Sequence, residues 1–507
     1  MARMLRALVR LGIGTVLGSS VDERRRGVGF RTLTLVAATL LLLAGAAAGQ
    51  AAADPPSEGC RVTPSISCVF GEHKLDLFLT TRLRTEFWRA RTDSTDTFYA
   101  ARSRVGLQYS YGSLLTLFGE FQDARIYSLS PHTSGAGANY RAFSDDESHA
   151  DSQAVRQLWL EVKPVQGLGI RIGRQDIKLG TEVMYPEANW KYVKISRASQ
   201  RLVGTVAWTH AERSNDGLSV AYDTGGGHHV FAFAARPTMG VFDIEDAYKR
   251  QDDINYGGVS WTVKRDTWLP STEINLFGLF YDDKRSVDDG GLPDSVTVYT
   301  GGGSVLGFYP LGPGTFDLLA WGAYQVGHFN SLDHSAGAGI LEAGYQLAQL
   351  PTRPWLRLGV NFASGDGDPS DGDHNTFFNL LPTNHPYYGF ADQYAFQNLV
   401  DWFAQLMLQP HEKVRLNLML HQFYLANDDD AKYSGSGAFN KKVFGYSEQP
   451  SRGYKGAGTE IDAVLSYDFN SHLSIEAGYA YLWGRGIFNS FEHKNVSFGY
   501  LELTLKY

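Results

Sequence analysis

The chain has 507 residues, a formal net charge of −8, 43% hydrophobic residues and 13% aromatic residues. This length would suffice for two or three soluble domains, but no Pro-rich, Gly/Ser-rich or charged linker divides the chain after residue 53. One large domain accounts best for the length, and we expect no nucleic-acid partner.

The N-terminus has the pattern of a secretory signal peptide. An Arg-rich start precedes an apolar stretch at residues 33–49 and a small-residue cleavage site near Ala53. We therefore predict a signal peptide at 1–53, with a retained membrane anchor as the alternative. Its removal takes away seven arginines, Asp22 and Glu23, which moves the formal charge from −8 to −13.

Residues 54–74 are then expected to form a periplasmic N-terminal segment. It contains both cysteines of the chain, Cys60 and Cys68, in a compartment that permits disulfides. We predict a small disulfide staple between them. A lipid attached to Cys60 is a weaker alternative.

From residue 75 to the C-terminus, segments with a two-residue hydrophobic period alternate with turns and loops. In the last segment Leu501, Leu503, Leu505 and Tyr507 share one face, and Glu502, Thr504 and Lys506 share the other. Such a strand suits a wall between lipid and water, although a soluble β-sandwich uses the same alternation. No later stretch has the roughly eighteen apolar residues of a spanning helix, so membrane residence has to come from strands.

The connections between these segments are sorted by length. Short ones are predicted at residues 111–113, 163–167, 224–228, 265–271, 309–314, 350–354, 409–413 and 470–472. Longer ones are predicted at residues 90–97, 128–152, 178–201, 237–253, 283–294, 327–337, 364–397, 425–456 and 484–495. Short periplasmic turns alternating with long outer loops are typical of bacterial outer-membrane barrels. The pattern predicts an all-β fold: a transmembrane antiparallel β-barrel of about eighteen strands at 75–507, with both termini periplasmic.

Strand parity predicts which side chains face the lumen. The inward set is Arg82, Arg84, Glu86, Arg102, Arg104, Arg171, Arg357, Arg415, Glu460 and Asp462, and a bulge leaves the direction of Arg174 ambiguous. An arginine-rich lumen would favour the passage of anions. The alternative is an interior salt-bridge ladder in which these arginines pair with Glu86, Glu120 and Glu161.

Acidic runs fall in the predicted outer loops, at residues 145–147, 288–289, 366–373 and 428–430. Charge runs in loops are usually solvated. The alternative is that they bind divalent cations beside lipopolysaccharide, because hard cations prefer oxygen ligands.

Three groups of residues resemble motifs of the alginate export porin family. The first is a GRQ strand at residues 173–175, an RLVG element at 201–204, Trp208, and an R-x-x-D-G strand start at 213–217, with residues 181–199 inserted. The second and most specific is a long-loop signature, SGD at 364–366 followed by TF…LP-T-H-x-Y-x-G-x-x-D at 376–392. The third is a G-x-E-I-D strand start at 458–462.

The resemblance implies an eighteen-stranded outer-membrane barrel with an arginine-rich, anion-selective lumen. It further implies passive outward passage of an anionic polysaccharide of the polyuronate class, and a periplasmic scaffold protein as partner. A general or small-anion uptake porin is the alternative, because a fold does not set its cargo.

The sequence gives no sign of an enzyme. It has no phosphate-binding loop and no G-x-S-x-G elbow, and His411-Glu412 lacks the second histidine of a zinc protease motif. We therefore expect no catalytic residues, metal or cofactor.

Overall fold

Eighteen antiparallel strands close into one barrel in the computed structural model, which describes residues 59–62, 66–89, 95–133, 135–385, 387–434, 448–490 and 495–507. An N-terminal hairpin, β1 (Gly59–Val62) and β2 (Ile66–Phe70), precedes them. The barrel strands are β3 (His73–Arg89), β4 (Asp96–Tyr111), β5 (Leu115–Tyr127), β6 (His149–Val165), β7 (Leu168–Gln175), β8 (Asn215–Asp223), β9 (His228–Pro237), β10 (Ile254–Val263), β11 (Thr272–Asp283), β12 (Val296–Leu311), β13 (Gly314–Phe329), β14 (Leu332–Gln346), β15 (Trp355–Ala363), β17 (Leu399–His411), β18 (Val414–Tyr424), β21 (Gly456–Asp468), β22 (Leu473–Gly484) and β23 (Asn495–Lys506). The predicted all-β barrel and its strand number are confirmed.

Short elements lie in the connections. They are the helices α1 (Gly135–Phe143) and α2 (Ala188–Val193), a π-helical turn at Lys194–Ala198, 3-10 turns at Val287–Asp289 and Gly486–Ser490, and the two-residue strands β16 (Asp373–His374), β19 (Lys432–Tyr433) and β20 (Glu448–Gln449). No helix among the described residues is both long and apolar enough to cross a membrane. The predicted signal peptide at 1–53 lies outside the described residues.

The barrel closes between its first and last strands. β23 pairs with β3 from Ser497 opposite Arg89 to Lys506 opposite Thr80. Leu83, Leu358 and Leu501 on the outer face are each about half exposed, while their sequence neighbours point inward. The apolar face therefore lies outside and the polar face inside, as the alternation predicts.

The connections between strands differ in length at the two ends of the barrel. Short turns, such as the one between β4 and β5, lie at one end, which we name the short-turn end. Long connections, such as the one between β7 and β8, lie at the other end, which we name the long-loop end.

One predicted loop, at residues 327–337, is wrong: β13 and β14 form a hairpin closed by Asn330 and Ser331, with Phe329 opposite Leu332. Asn330 has a φ of 59°, a left-handed conformation that Asn tolerates better than most residues. The Gly, Ser and Asp residues that indicated a loop belong to the two strands.

The N-terminal hairpin lies at the short-turn end. Cys60 and Cys68 form a disulfide between β1 and β2. β2 pairs with β3 from Ile66 opposite Leu77 to Phe70 opposite His73, next to the closing seam but outside it. The hairpin thus covers the edge of β3 beyond the end of β23.

We predict that replacing both cysteines by serine leaves the barrel closed, because the closing ladder runs along Leu79–Arg89 of β3 and does not involve β1 or β2. Heat-modifiable migration on gels measures closure. The folded band should persist in the double variant, whereas Leu503→Pro, which removes a ladder N–H that faces Leu83 of β3, should lose it. Loss of the folded band in the cysteine variant would contradict the claim that barrel closure does not depend on the disulfide.

Candidate functional site: the barrel lumen

Two chain segments fold into the lumen. The first inserted segment, residues 176–214, joins β7 to β8, and the second inserted segment, residues 364–398, joins β15 to β17. Each segment begins and ends at a pair of neighbouring, hydrogen-bonded strands, since Gln175 lies opposite Asn215 and Ala363 lies opposite Leu399. Their apolar side chains are buried, among them Leu202, Val203, Phe377, Tyr387 and Phe396. The segments therefore fill the middle of the barrel, and the loop predicted at 178–201 extends to residue 214.

The two inserted segments bind each other. Leu381 accepts a hydrogen bond from the backbone N–H of Gly204 at 2.9 Å, and its own N–H donates to Leu202 at 2.9 Å. Arg213 donates to the same Leu381 carbonyl at 2.7 Å. Trp208 of the first segment stacks on His385 of the second with 3.7 Å between ring centroids. The two segments thus form one packed unit, which we name the inserted unit.

One wall of the lumen is basic. Arg102 and Arg104 of β4 and Arg156 of β6 all meet Glu212 of the first inserted segment. The nitrogen-to-oxygen distances are 2.6, 2.9 and 2.8 Å respectively. The Glu212 side chain is 4% exposed. One carboxylate of the segment therefore neutralises part of an arginine cluster on the wall.

Arg82 and Arg84 of β3 hold the backbone of the same segment. Arg82 donates to the carbonyls of Ala207 at 2.9 Å, Trp208 at 2.9 Å and Thr209 at 2.6 Å. Arg84 donates to the Trp208 carbonyl at 2.8 Å, and its guanidinium lies 3.7 Å from the Trp208 ring centroid. Because His385 is stacked equally close, Arg84 and His385 must lie on opposite faces of the ring.

These arginines also pair with wall carboxylates. The pairs are Arg84 with Glu86 at 2.8 Å, Arg104 with Glu120 at 3.9 Å, Arg84 with Glu502 at 3.3 Å and Arg82 with Glu502 at 3.6 Å. The wall therefore combines a salt-bridge ladder with contacts to the first inserted segment.

A second charged anchor has the opposite polarity. Glu342 of β14 accepts from Arg197 and Arg201 of the first inserted segment at 2.8 and 3.4 Å, and from Arg357 of β15 at 2.8 Å. Arg357 also pairs with Asp317 at 2.9 Å. The side chains of all five residues are at most 1% exposed. Here the wall supplies the carboxylates and Arg357, and the segment supplies Arg197 and Arg201.

The wall formed by β17, β18 and β21 is acidic and contacts the second inserted segment. Glu460 accepts a hydrogen bond from the Ala391 N–H at 2.8 Å. His421 Nδ1 lies 3.0 Å from Asp401, and Asp462 lies 3.7 Å from His421 Nε2. The lumen therefore has a basic and an acidic wall, and each meets an inserted segment.

The remaining residues of the predicted lumen set pair with carboxylates of neighbouring strands, away from Glu212 and Glu342. Arg171 pairs with Glu161 at 3.0 Å, and Arg415 pairs with Asp468 at 2.5 Å near the short-turn end, where it is half exposed. Arg174 pairs with Asp216 at 2.7 Å. It has the strand parity of the exposed Ile170 and Ile172, which places it on the outer face.

Sequence reasoning missed Arg156, Arg197, Arg201, Glu212 and Glu342 as lumen residues. The ladder between β5 and β6 shifts register at Glu120, so Arg156 does not follow the simple alternation. Arg197, Arg201 and Glu212 lie in a connection, where parity does not apply. Only Arg201 carried a signal, as the first residue of the RLVG motif.

Two further connections cover the inserted unit at the long-loop end: the one between β5 and β6, which contains α1, and the one between β9 and β10, which contains Tyr248. The hydroxyl of Tyr140 in α1 accepts from the His210 N–H at 3.1 Å, and the hydroxyl of Tyr248 donates to the Ala211 carbonyl at 2.5 Å. Cavities of about 600 Å³ at the long-loop end and about 440 Å³ at the short-turn end remain on either side. The inserted unit lies between them.

We predict that Glu212→Gln loosens the first inserted segment by about 3 kcal/mol, because three arginines lose their buried anionic partner. Hydrogen exchange of residues 176–214 should report faster opening. Glu187→Gln is the matched control on the same segment, since Glu187 pairs with Arg265 at a solvent-exposed site, and it should leave exchange unchanged. Equal exchange in both variants would contradict the anchoring role of Glu212.

Comparison with known proteins agrees with this architecture. Solved structures of the same fold include OpdK from Pseudomonas aeruginosa with vanillate, at 9% identity and a TM-score of 0.53, with 85% of this chain and 98% of that chain covered. OccAB2 from Acinetobacter baumannii has 10% identity, a TM-score of 0.55 and the same coverage. OpdK is described as an outer membrane protein. At this identity the likeness concerns the fold alone.

No curated protein matches the sequence at a significant level. The profile of the family described as alginate export matches residues 74–484. The chain is an outer-membrane β-barrel and belongs to the alginate export family.

Proposed function

We propose that this barrel is a passive outer-membrane channel that exports an anionic polysaccharide of the polyuronate class, and that the inserted segments are its gate. In this proposal the short-turn end, which carries the N-terminal hairpin and Tyr507, is the periplasmic end. Transport rather than catalysis fits the family and the fold.

The position of Glu212 is the observation that carries this proposal. Its carboxylate lies among Arg102, Arg104 and Arg156, and a uronate unit bears the same chemical group. If the first inserted segment moves aside, these arginines become free to bind the carboxylates of a polymer, because guanidinium groups match carboxylates in charge and geometry. Several such arginines along one wall would let the polymer pass from one to the next.

Passage of a polymer requires a change of conformation. The inserted segments fill the lumen between the two end cavities, so at least one of them has to be displaced. Ion pairs suit a gate of this kind, because a polyanion can replace Glu212 on the same arginines. A periplasmic scaffold protein that delivers the polymer would act at the short-turn end, and lipopolysaccharide would surround the long-loop end.

A small-anion uptake porin is the second candidate. The observation that favours it is the size of the end cavities, about 440 and 600 Å³, which suits a small solute better than a chain. In that case the inserted segments would narrow the lumen permanently and would not act as a gate.

Single-channel recording of the purified protein in a planar bilayer tests the proposal. We expect anion preference in a salt gradient and block by short polyuronates, with no block by neutral dextrans of equal length. Liposomes that contain the protein should then release enclosed polyuronate but retain dextran. Release of monomeric uronate with retention of the polymer would favour the uptake porin, and cation preference would contradict both candidates.

A further inference from the structure

The cavity at the short-turn end is lined by polar and aromatic side chains. It measures about 440 Å³ and is bounded by residues of β15, β17, β18, β21 and β22, by Tyr192 of α2 and by Phe390 of the second inserted segment. The one carboxylate among these lining residues, Glu476, already accepts hydrogen bonds from Ser466 and Tyr500. This volume lies within the usual range of ligand sites in proteins. The cavity thus ends directly beneath the inserted unit.

The side-chain amide of Gln405 is buried at this cavity. It is 1% exposed, and its Nε2 donates to the Tyr192 hydroxyl at 2.5 Å and to Asn417 Oδ1 at 2.9 Å. Its Oε1 has no hydrogen-bond partner within the described part of the chain. A buried acceptor without a hydrogen bond lowers the free energy of unfolding, and a hydrogen bond from a ligand hydroxyl would remove that penalty.

Two arginines line the same cavity. Arg415 pairs with Asp468, but the two side chains are 51% and 36% exposed, so water weakens the pair and a ligand carboxylate can replace Asp468. Arg353 donates to Gln409 Oε1 at 3.2 Å. Guanidinium groups bind carboxylates through two parallel hydrogen bonds.

An aromatic pair completes the site. The rings of Tyr192 and Trp355 meet edge to face with 5.5 Å between centroids. The Trp355 indole N–H is already engaged, since it donates to Asp317 at 2.7 Å. Trp355 is buried and supports Tyr192 from the side, and the half-buried Tyr192 ring offers the cavity apolar surface, against which the C–H face of a sugar ring can pack.

We propose that this cavity binds an acidic sugar unit and is the loading site for the cargo. Gln405 would accept from a ring hydroxyl, Arg415 and Arg353 would hold the carboxylate, and Tyr192 would contact the sugar ring. The loading role rests on the proposed export function, but the binding itself does not.

Calorimetric titration of the detergent-purified full chain with a tetrauronate tests the site. We expect Gln405→Leu and Arg415→Gln each to weaken binding about tenfold, in line with the loss of one charged or buried hydrogen bond. Gln349→Leu is the matched control, because Gln349 is exposed at the same end and does not line the cavity. A neutral tetrasaccharide should bind at least about tenfold more weakly than the tetrauronate. Heat-modifiable migration verifies folding, and Arg415→Gln at the half-exposed rim keeps the test valid if Gln405→Leu misfolds.

Unchanged affinity in both cavity variants, or equal affinity for the neutral sugar, would overturn the site. The export function is judged separately by the bilayer recording. Anion preference and polyuronate block that persist in both cavity variants would leave export intact and reject the loading site. Cation preference of the wild-type channel, together with uronate binding that the variants lose, would keep the site and reject export.

Discussion

The structure depends on the neutralisation of charge inside a closed barrel. A charge in a water-poor interior is stable only with a well-placed partner. Glu212 of the first inserted segment supplies that partner for the arginines of the basic wall, and Glu342 of the wall supplies it for Arg197 and Arg201 of the segment. The two anchors have opposite polarity, so the segment is held from both sides and fits in one orientation.

The same constraint supports the proposed gating of a tightly filled barrel. Apolar packing alone would hold the segments whatever anion is present, whereas an ion pair can be exchanged for another. Trp208 shows how the two contributions meet, since it lies between Arg84 of the wall and His385 of the second segment. A polyanion that displaces Glu212 would therefore weaken the contacts of both segments at once.

The fold could be predicted from the sequence because a two-residue period and sorted connection lengths are local signals. They failed at residues 327–337, where Gly, Ser and Asp indicated a loop although a two-residue turn at Asn330 suffices. Parity also identified wall residues such as Arg82 and Glu460. It could not find Glu212, which lies more than a hundred residues from Arg102 in the chain, or Arg156, which follows a register shift. Contacts between a wall and an inserted segment are set by tertiary packing, which no local pattern encodes.

The most direct test of the gate is the single-channel conductance of a barrel without the inserted segments. Short turns can replace residues 176–214 and 364–398, because Gln175 and Asn215, like Ala363 and Leu399, already face each other across the ladder. If the segments close the lumen, their removal should raise the conductance severalfold and increase anion preference, since the arginines of the basic wall become exposed. A folded variant with wild-type conductance and selectivity would show that the segments do not control the passage.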